Sequence, residues 1–538
     1  MKHFLALVAC LLMFGLMPST SQAASPDSAS TEALLLELTK AKLSKVKPIL
    51  EQLEQSGAET MLPIFSVMLE GQLYYEKANR SNLLQVQKID GETVHTSMST
   101  GDQVETFSKS KIKKIRVNNQ LRIFLRGAIA RIQISAADPV ERESAIMSLI
   151  GKLDKTTVEA IRARQATETD ENVLAAMALA GAMFDVTALK DTDERLAAVA
   201  ILDGRLESDV RNKLQALADG DKDPVIAAAA QEALDGIQSK IEWYGFVDQL
   251  FFGLSLGSVL LLAAIGLAIT FGVMGVINMA HGEMIMLGAY TTYVVQLLMP
   301  NSIDLSIWVA IPAAFVVSGL FGIAIERGVI RFLHGRPLET LLATFGISLI
   351  LQQLVRTVFS PLNRQVDTPT WMSGSWEINP VLSLTLNRLY ILAFALIVFF
   401  ALMLVLKKTN LGLNVRAVSQ NRAMAKAMGI RTDRVDALTF GLGSGIAGIA
   451  GVALSQLTNV GPNLGQAYII DSFMVVVFGG VGNLLGTLVA AFSLGVANKF
   501  LEPVTGSVLA SILILVFIIL FIQKRPKGLF PQKGRAAE

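Results

Sequence analysis

The chain has 538 residues and a formal net charge of +2, with 52% hydrophobic and only 17% charged residues, and its mean hydropathy is +0.49. That balance excludes a disordered chain and points to several membrane spans. The charge is segregated: residues 1–246 hold 33 acidic and 28 basic side chains and residues 247–538 hold 12 and 19. The basic residues of the second half lie in loops beside apolar runs, so no nucleic-acid-binding patch is expected.

Residues 1–23 read as an export signal: Lys2, an apolar stretch over 4–17, Pro18 and the small-residue exit Ser21-Gln22-Ala23, with cleavage expected after Ala23. Leu7-Val8-Ala9-Cys10 superficially resembles a lipoprotein box, but the apolar stretch runs on to Met17. Cys10 is the chain's single cysteine. Its removal with the signal would exclude disulfide and thiol chemistry. Whether the signal is cleaved or kept as an anchor, residues 24–246 are expected on the outer side.

Residues 24–137 predict a mixed segment. Leu34, Leu38, Val46, Ile49, Leu50 and Leu53 have helical spacing, and 72–117 alternate in short strand-like pieces around turns such as Asp90-Gly91. From 138 to 240 a repeat predicts stacked helices. Asp138, Asp170, Asp191 and Asp223 each stand where an N-capping carboxylate would open a helix with an alanine- and leucine-rich face. Such a HEAT-like stack either presents a surface to a partner or serves as a packed spacer.

Over 247–523, uncharged apolar stretches recur at 251–270, 284–299, 305–325, 339–355, 389–406, 436–457, 469–482, 484–498 and 507–522. They predict eight or nine crossings. An exported N-terminus and a cytoplasmic tail over 524–538 require an odd number, which nine satisfies; 469–482 is short enough to be a re-entrant limb instead. The fold class expected is an all-α polytopic membrane protein, some of its helices broken, carrying an exported α-rich domain with a small β segment and HEAT-like repeats.

Between the first two runs lies Gly275-Val276-Ile277-Asn278-Met279-Ala280-His281-Gly282-Glu283, a polar, glycine-broken insert at membrane depth. Backbone that leaves the helix inside a bilayer has unsatisfied amides costing several kcal/mol each, so it survives where it is packed in protein or lines a polar path. On the opposite side, residues 407–434 hold seven basic residues against one acidic, which makes that loop cytoplasmic. Within it, 416–430 suits one short amphipathic helix ended by Gly429. Val418, Met424 and Met428 would face a groove and Arg422 and Lys426 would stay solvated, although any basic connector can hold an interfacial helix.

Enzyme chemistry finds no footing. His281-Gly282-Glu283 matches the H-x-E of zinc deaminases in letters, but their paired cysteine ligands are missing, and His3, His95 and His334 are scattered. Gly443-Ser444-Gly445 fails as a nucleophile elbow because Leu442 breaks the frame. The Gly151-Lys152 pair lacks the rest of a phosphate loop, so any ATP hydrolysis belongs to another chain. No cofactor or metal is expected.

Three stretches carry a family resemblance. "GLSLGSVLLLAAIGLAITFGVMGVINMAHGEMIMLGAY" (253–290), "NLGLNVRAVSQNRAMAKAMGI" (410–430) and "FGGVGNLLGTLVAA" (478–491) resemble the opening signature, the coupling segment and the late glycine-rich stretch of permease subunits of ABC importers for branched-chain amino acids. Within that family the exported extension, Val117-Asn118-Asn119 and the tail Arg525-Pro526-Lys527-Gly528-Leu529-Phe530-Pro531 are similar to the urea-importing branch. The resemblance implies an inner-membrane permease for urea, with a branched-chain amino acid as the alternative substrate and an autonomous channel or ion-coupled carrier as the competing class. It implies ABC ATPase subunits, a second permease subunit, a periplasmic substrate-binding protein and the lipid bilayer as partners. Arg416, Asn421, Arg422, Ala425, Met428 and Gly429 would belong to the segment that docks the ATPase. A small neutral solute needs polar side chains along its route, and the candidates are Asn278, His281, Glu283, Asn459, Asp471 and Asn483. Each could equally brace neighbouring helices. The glycines at 479, 480, 482 and 486 would allow close helix packing or a second unwound turn.

Overall fold

A computed structural model describes residues 26–531 apart from 57, 81, 90, 91, 109 and 334. The export signal over 1–23 with Cys10, the Asp90-Gly91 turn, His334 and the end of the tail (532–538) therefore lie outside the described residues. The chain divides into two compact units, Met1–Gln238 and Ser239–Glu538.

In the first unit, α1 (Pro26–Lys40), α2 (Val46–Ser56) and α3 (Ala58–Leu69) precede five short strands: β1 (Leu73–Glu76), β2 (Leu83–Ile89), β3 (Glu92–Ser97), β4 (Gln103–Val104) and β5 (Ile112–Lys114). The strands form one sheet in the order β4-β3-β2-β1-β5 with antiparallel neighbours throughout. Leu50, Leu53, Phe65, Leu73 and Leu125 are fully buried between these helices, the sheet and α4 (Asn119–Gln133). Helices α5 (Pro139–Leu149), α6 (Lys155–Gln165), α7 (Glu171–Ala188), α8 (Thr192–Leu202) and α9 (Ser208–Gly220) follow. Aspartates stop fraying at their starts: Asp138, Asp170 and Asp191 accept from the amides of Val140, Asn172 and Asp193, each at 3.0 Å. Asp154 does the same for α6, accepting from Thr157 N at 2.8 Å. The buried Arg142 donates two bonds of 2.8 Å to the Glu168 carboxylate, tying α5 to the turn before α7.

Asp223 caps a helix whose length was not expected. From Pro224, α10 runs unbroken for 51 residues to Met274, taking in both the last helix of the first unit and the first apolar run. In the second unit it is followed by α11 (His281–Leu298), α12 (Ile303–Gly328), α13 (Pro337–Phe359), the hairpin strands β6 (Ser375–Glu377) and β7 (Ser383–Thr385), α14 (Leu386–Lys408), α15 (Asn410–Gln420), α16 (Arg422–Ala427), α17 (Thr432–Ser455), α18 (Leu464–Gly479), α19 (Leu484–Thr505) and α20 (Ser507–Lys524).

Among the described residues, α7, α10, α12, α13, α14, α17, α19 and α20 are long and apolar enough to cross a membrane, by length and composition alone. The apolar length of α7 is spent inside the first unit, where Val173, Met177, Leu179, Ala180 and Val186 pack against α5, α6 and α8. Two expected spans fall outside that set: α11 has His281 and Glu283 in its first turn, and the 16 residues of α18 reach only about 24 Å. Helix α11 is largely buried, whereas α18 keeps Ile470 59% exposed. Helix α11 lies against α12, α13, α17 and α18, and close backbone contact makes this possible: a Cβ on Gly288 would overlap Gly448 O, and one on Gly465 would overlap Gly282 O.

Candidate translocation site and coupling segment

Helix α10 ends at Met274, and Gly275 turns the chain with φ +65°, a conformation costly to any residue with a Cβ. Residues 275–280 are non-helical, and α11 starts at His281. The His281 ring returns to α10, with Nε2 lying 2.9 Å from Ala263 O, so Nε2 carries the proton and donates it. Ala263 precedes Met274 by eleven residues, a helical rise of about 16 Å. Six extended residues span about 20 Å. The segment is thus a returning limb along α10 that ends in a turn over Met279 and Ala280, where Ala280 has φ −76° and ψ 0°.

Glu283 fixes where the limb ends. Its Oε1 accepts from Ser348 Oγ and Gln352 Nε2, both at 2.8 Å, and Ser348 is the middle residue of α13. Helix α11 therefore begins near the mid-depth of its neighbours. Along the limb, Met279 N donates to Thr344 Oγ1 at 3.2 Å and Ala280 N to Asn278 Oδ1 at 3.0 Å. The amides of Val276, Ile277 and Asn278 find no acceptor among the described residues. Three consecutive free donors at membrane depth are tolerable only where water or a solute reaches them. Three buried side-chain atoms on α11 are likewise without a partner: His281 Nδ1, Glu283 Oε2 and Tyr290 Oη.

The structure brings Asn278, His281 and Glu283 together and holds all three buried. The other candidates lie elsewhere. Asn459 is exposed between α17 and α18, and Asp471 is half-buried on α18. Asn483 is the N-cap of α19, accepting from Gly486 N at 3.1 Å and donating to Phe530 O at 3.2 Å. Around it both expectations for the glycines are met. Gly480 (φ +105°) and Gly482 (φ +80°) form an unwound turn, and the backbones of Gly479 and Gly486 touch. The tail folds into this turn, Leu529 N donating to Phe478 O at 2.9 Å.

The residues missed from sequence lie on α13. Thr340, Thr344, Ser348, Gln352 and Arg356 recur every four residues, which puts them on one helical face. The first four are buried, and Arg356 donates to Asn463 Oδ1 at 2.7 Å. That stripe was legible as polar i, i+4 spacing inside an apolar run.

The coupling segment departs from the single helix expected over 416–430. Asn421 breaks it with extended angles (φ −150°, ψ 100°) and caps α16 by accepting from Met424 N at 2.9 Å. Arg422 stays partly exposed, its side chain at 37%, but its guanidinium also pairs with the Asp436 carboxylate of α17, which is 1% exposed. Val418 does not face outward either; with Val415, Ala425 and Val435 it forms a local apolar cluster. Arg416 donates to Leu406 O at 2.7 Å, closing the end of α14, and Gly429 (φ +86°) ends the segment. Met424 and Met428 are open at 60% and 76% exposure, and Lys426 is exposed as expected.

A family model described as the branched-chain amino acid transport system / permease component matches residues 249–522. The high-affinity branched-chain amino acid transport system permease protein LivH of Salmonella typhimurium is 31% identical over 295 residues, covering 53% of this chain and 95% of that protein. BraD of Pseudomonas aeruginosa, which bears the same description, is 31% identical over 298 residues, 54% of this chain and 96% of its own. The ribose import permease protein RbsC of Escherichia coli is 27% identical over 266 residues, 48% and 78% of the two chains. No solved structure matches. On these matches, the chain belongs to the family of branched-chain amino acid transport permease components.

Proposed function

We propose that residues 247–523 form the membrane pathway of an ATP-driven importer for branched-chain amino acids. The relatives' descriptions favour that substrate over urea. The carrying observation is the returning limb over 275–280, whose three free amides end at the buried Asn278, His281 and Glu283. Two permease subunits, two ATPase subunits and an exported binding protein complete the assembly, in a bacterial inner membrane. The ATPase docks on the segment held by Arg416, Asn421, Arg422, Ala425 and Gly429, with Met424 and Met428 as its exposed contacts. The first unit is a HEAT-like exported domain. Urea is the second reading, favoured by the long exported extension and the 525–531 tail, which folds into the α18–α19 turn.

Uptake of labelled leucine and labelled urea in cells lacking this gene tests the reading. Loss of high-affinity leucine uptake supports the amino-acid assignment and loss of urea uptake alone supports the second. Unchanged uptake of both overturns it.

A further inference from the structure

Where the membrane unit meets its basic loop, a cavity of about 320 Å³ opens between the last turns of α10, the end of α14, α15 and the turn into α19. Two backbone contacts set its walls. A Cβ on Gly412 would overlap Leu406 O, and one on Gly272 would overlap Gly482 Cα. Helix α15 is thus pressed on α14, and α10 on the glycine turn, and neither Gly412 nor Gly272 has a side chain to reach into the space beside it. Ile269, Val273, Met403 and Leu485 give the cavity apolar sides.

Its charged lining is entirely basic: Lys407 and Arg416 border it, and no acid does. The two are neighbours because Arg416 donates to Leu406 O at 2.7 Å, one residue before Lys407. That bond uses one of the five donors of a guanidinium, and the Lys407 ammonium makes no hydrogen bond or ion pair among the described residues. Arg422 of the same loop, by contrast, is neutralised by Asp436. Lys408 is exposed like Lys407 but does not line the cavity, so position rather than loop charge sets the pair apart. A basic cavity with apolar sides at the ends of membrane helices fits an amphiphile, its negative head held by the cations and its hydrocarbon lying along the sides.

We propose that this cavity is a binding site for an anionic phospholipid, whose phosphate is held by Lys407 and Arg416 and whose acyl chains lie along Ile269, Val273 and Leu485. The occupant touches α10 at Val273, two residues before the limb begins at Gly275. It also touches α15, the first helix of the coupling segment, and so ties the two together. The site is independent of which solute the chain carries.

The test uses the full chain, purified in detergent and stripped of lipid, with phosphatidylglycerol, phosphatidylcholine of the same acyl chains and glycerol phosphate added in separate arms and binding followed by native mass spectrometry. The first phosphatidylglycerol binds at least about fivefold more tightly than phosphatidylcholine, whose head has no net charge. Lys407→Gln removes one cation and weakens that binding about fivefold, whereas Lys408→Gln, an equal loss of charge outside the cavity, changes it by less than about twofold. Equal weakening in the two variants, or equal binding of the two lipids, overturns the site. Glycerol phosphate that competes as well as the whole lipid also overturns it, because the apolar sides would then contribute nothing. A second readout reports position. Leu485 is 52% exposed and tolerates substitution; in a Leu485→Cys chain with Cys10→Ala, phosphatidylglycerol slows labelling of the new thiol by a methanethiosulfonate reagent and phosphatidylcholine does not. Labelling that phosphatidylglycerol leaves unslowed overturns the site whatever the affinities.

Discussion

The Arg422 guanidinium is bound to the Asp436 carboxylate, so the short helix α16 is fixed to the first turns of α17 by a charge pair whose acidic member is 1% exposed. In the proposed coupling, a push on Met424 and Met428 would reach, through that pair and the apolar cluster of Val418, Ala425 and Val435, a helix that packs on both α11 and α12.

Arg422→Ala removes the countercharge from a carboxylate buried near Glu326. Leaving such a group underbonded costs about 1–3 kcal/mol. The variant is expected to insert normally yet lose at least about tenfold in solute-stimulated ATP hydrolysis. Adding Asp436→Asn should restore thermal stability without restoring coupling. Full coupling in the single variant would contradict the lever. Deleting residues 419–428 should likewise abolish coupling in a permease that still inserts.

Gln352→Leu takes one of two donors from Glu283 Oε1 while Oε2 is already without a partner. The expected loss is about 1–3 kcal/mol, seen as a lower melting temperature of the purified permease. Gln352→Glu should be worse, since it sets a second carboxylate against the first. An unchanged melting temperature for both would remove Glu283 from the braced core.

Gly465→Ala forces a methyl into the carbonyl of Gly282, where backbone faces backbone and neither can rotate away. Overpacking of this kind costs about 1–3 kcal/mol or more. Yield and melting temperature of the membrane permease should both fall. Gly346→Ala, on a site with open space around its Cβ position, is the neutral control.

In the first unit, hydrogen bonds from Arg142 and from the amides of Asp170 and Thr169 hold the Glu168 carboxyl near about 2, below its usual 4.5. A depressed carboxylate stabilises the fold fully above pH 4.5 and loses that contribution as pH falls towards 2. Acid unfolding of the full chain, followed in detergent, should include a step across this window. Glu168→Gln should be less stable at pH 7 and show a shallower decline below pH 4.5. Parallel curves for the two proteins would contradict it.

Much of this architecture was legible because single physical causes dominate locally. Uncharged runs located the apolar helices, apart from the start of α10 at Pro224, and lone aspartates before alanine-rich stretches marked helix starts. What stayed hidden depends on partners distant in sequence. Nothing at Arg422 reveals that Asp436 faces it, so a helical-wheel reading left it in solvent. Asn483 caps α19 through the local amide of Gly486, but its second bond, to Phe530 O, exists only once the tail is folded. The α13 stripe was readable, but an apolar average over 337–359 conceals five polar residues on one face.

The central claim is that the limb over 275–280 belongs to an ATP-driven pathway. The direct measurement is accumulation of labelled leucine and urea by vesicles holding the assembled transporter, with ATP and with an ATPase variant unable to hydrolyse it. The account predicts concentration of one solute above the outside level, strictly dependent on hydrolysis and lost in Ile277→Pro, which removes one of the three free amides. Equal flux of either solute without ATP, running only down its gradient, would contradict it.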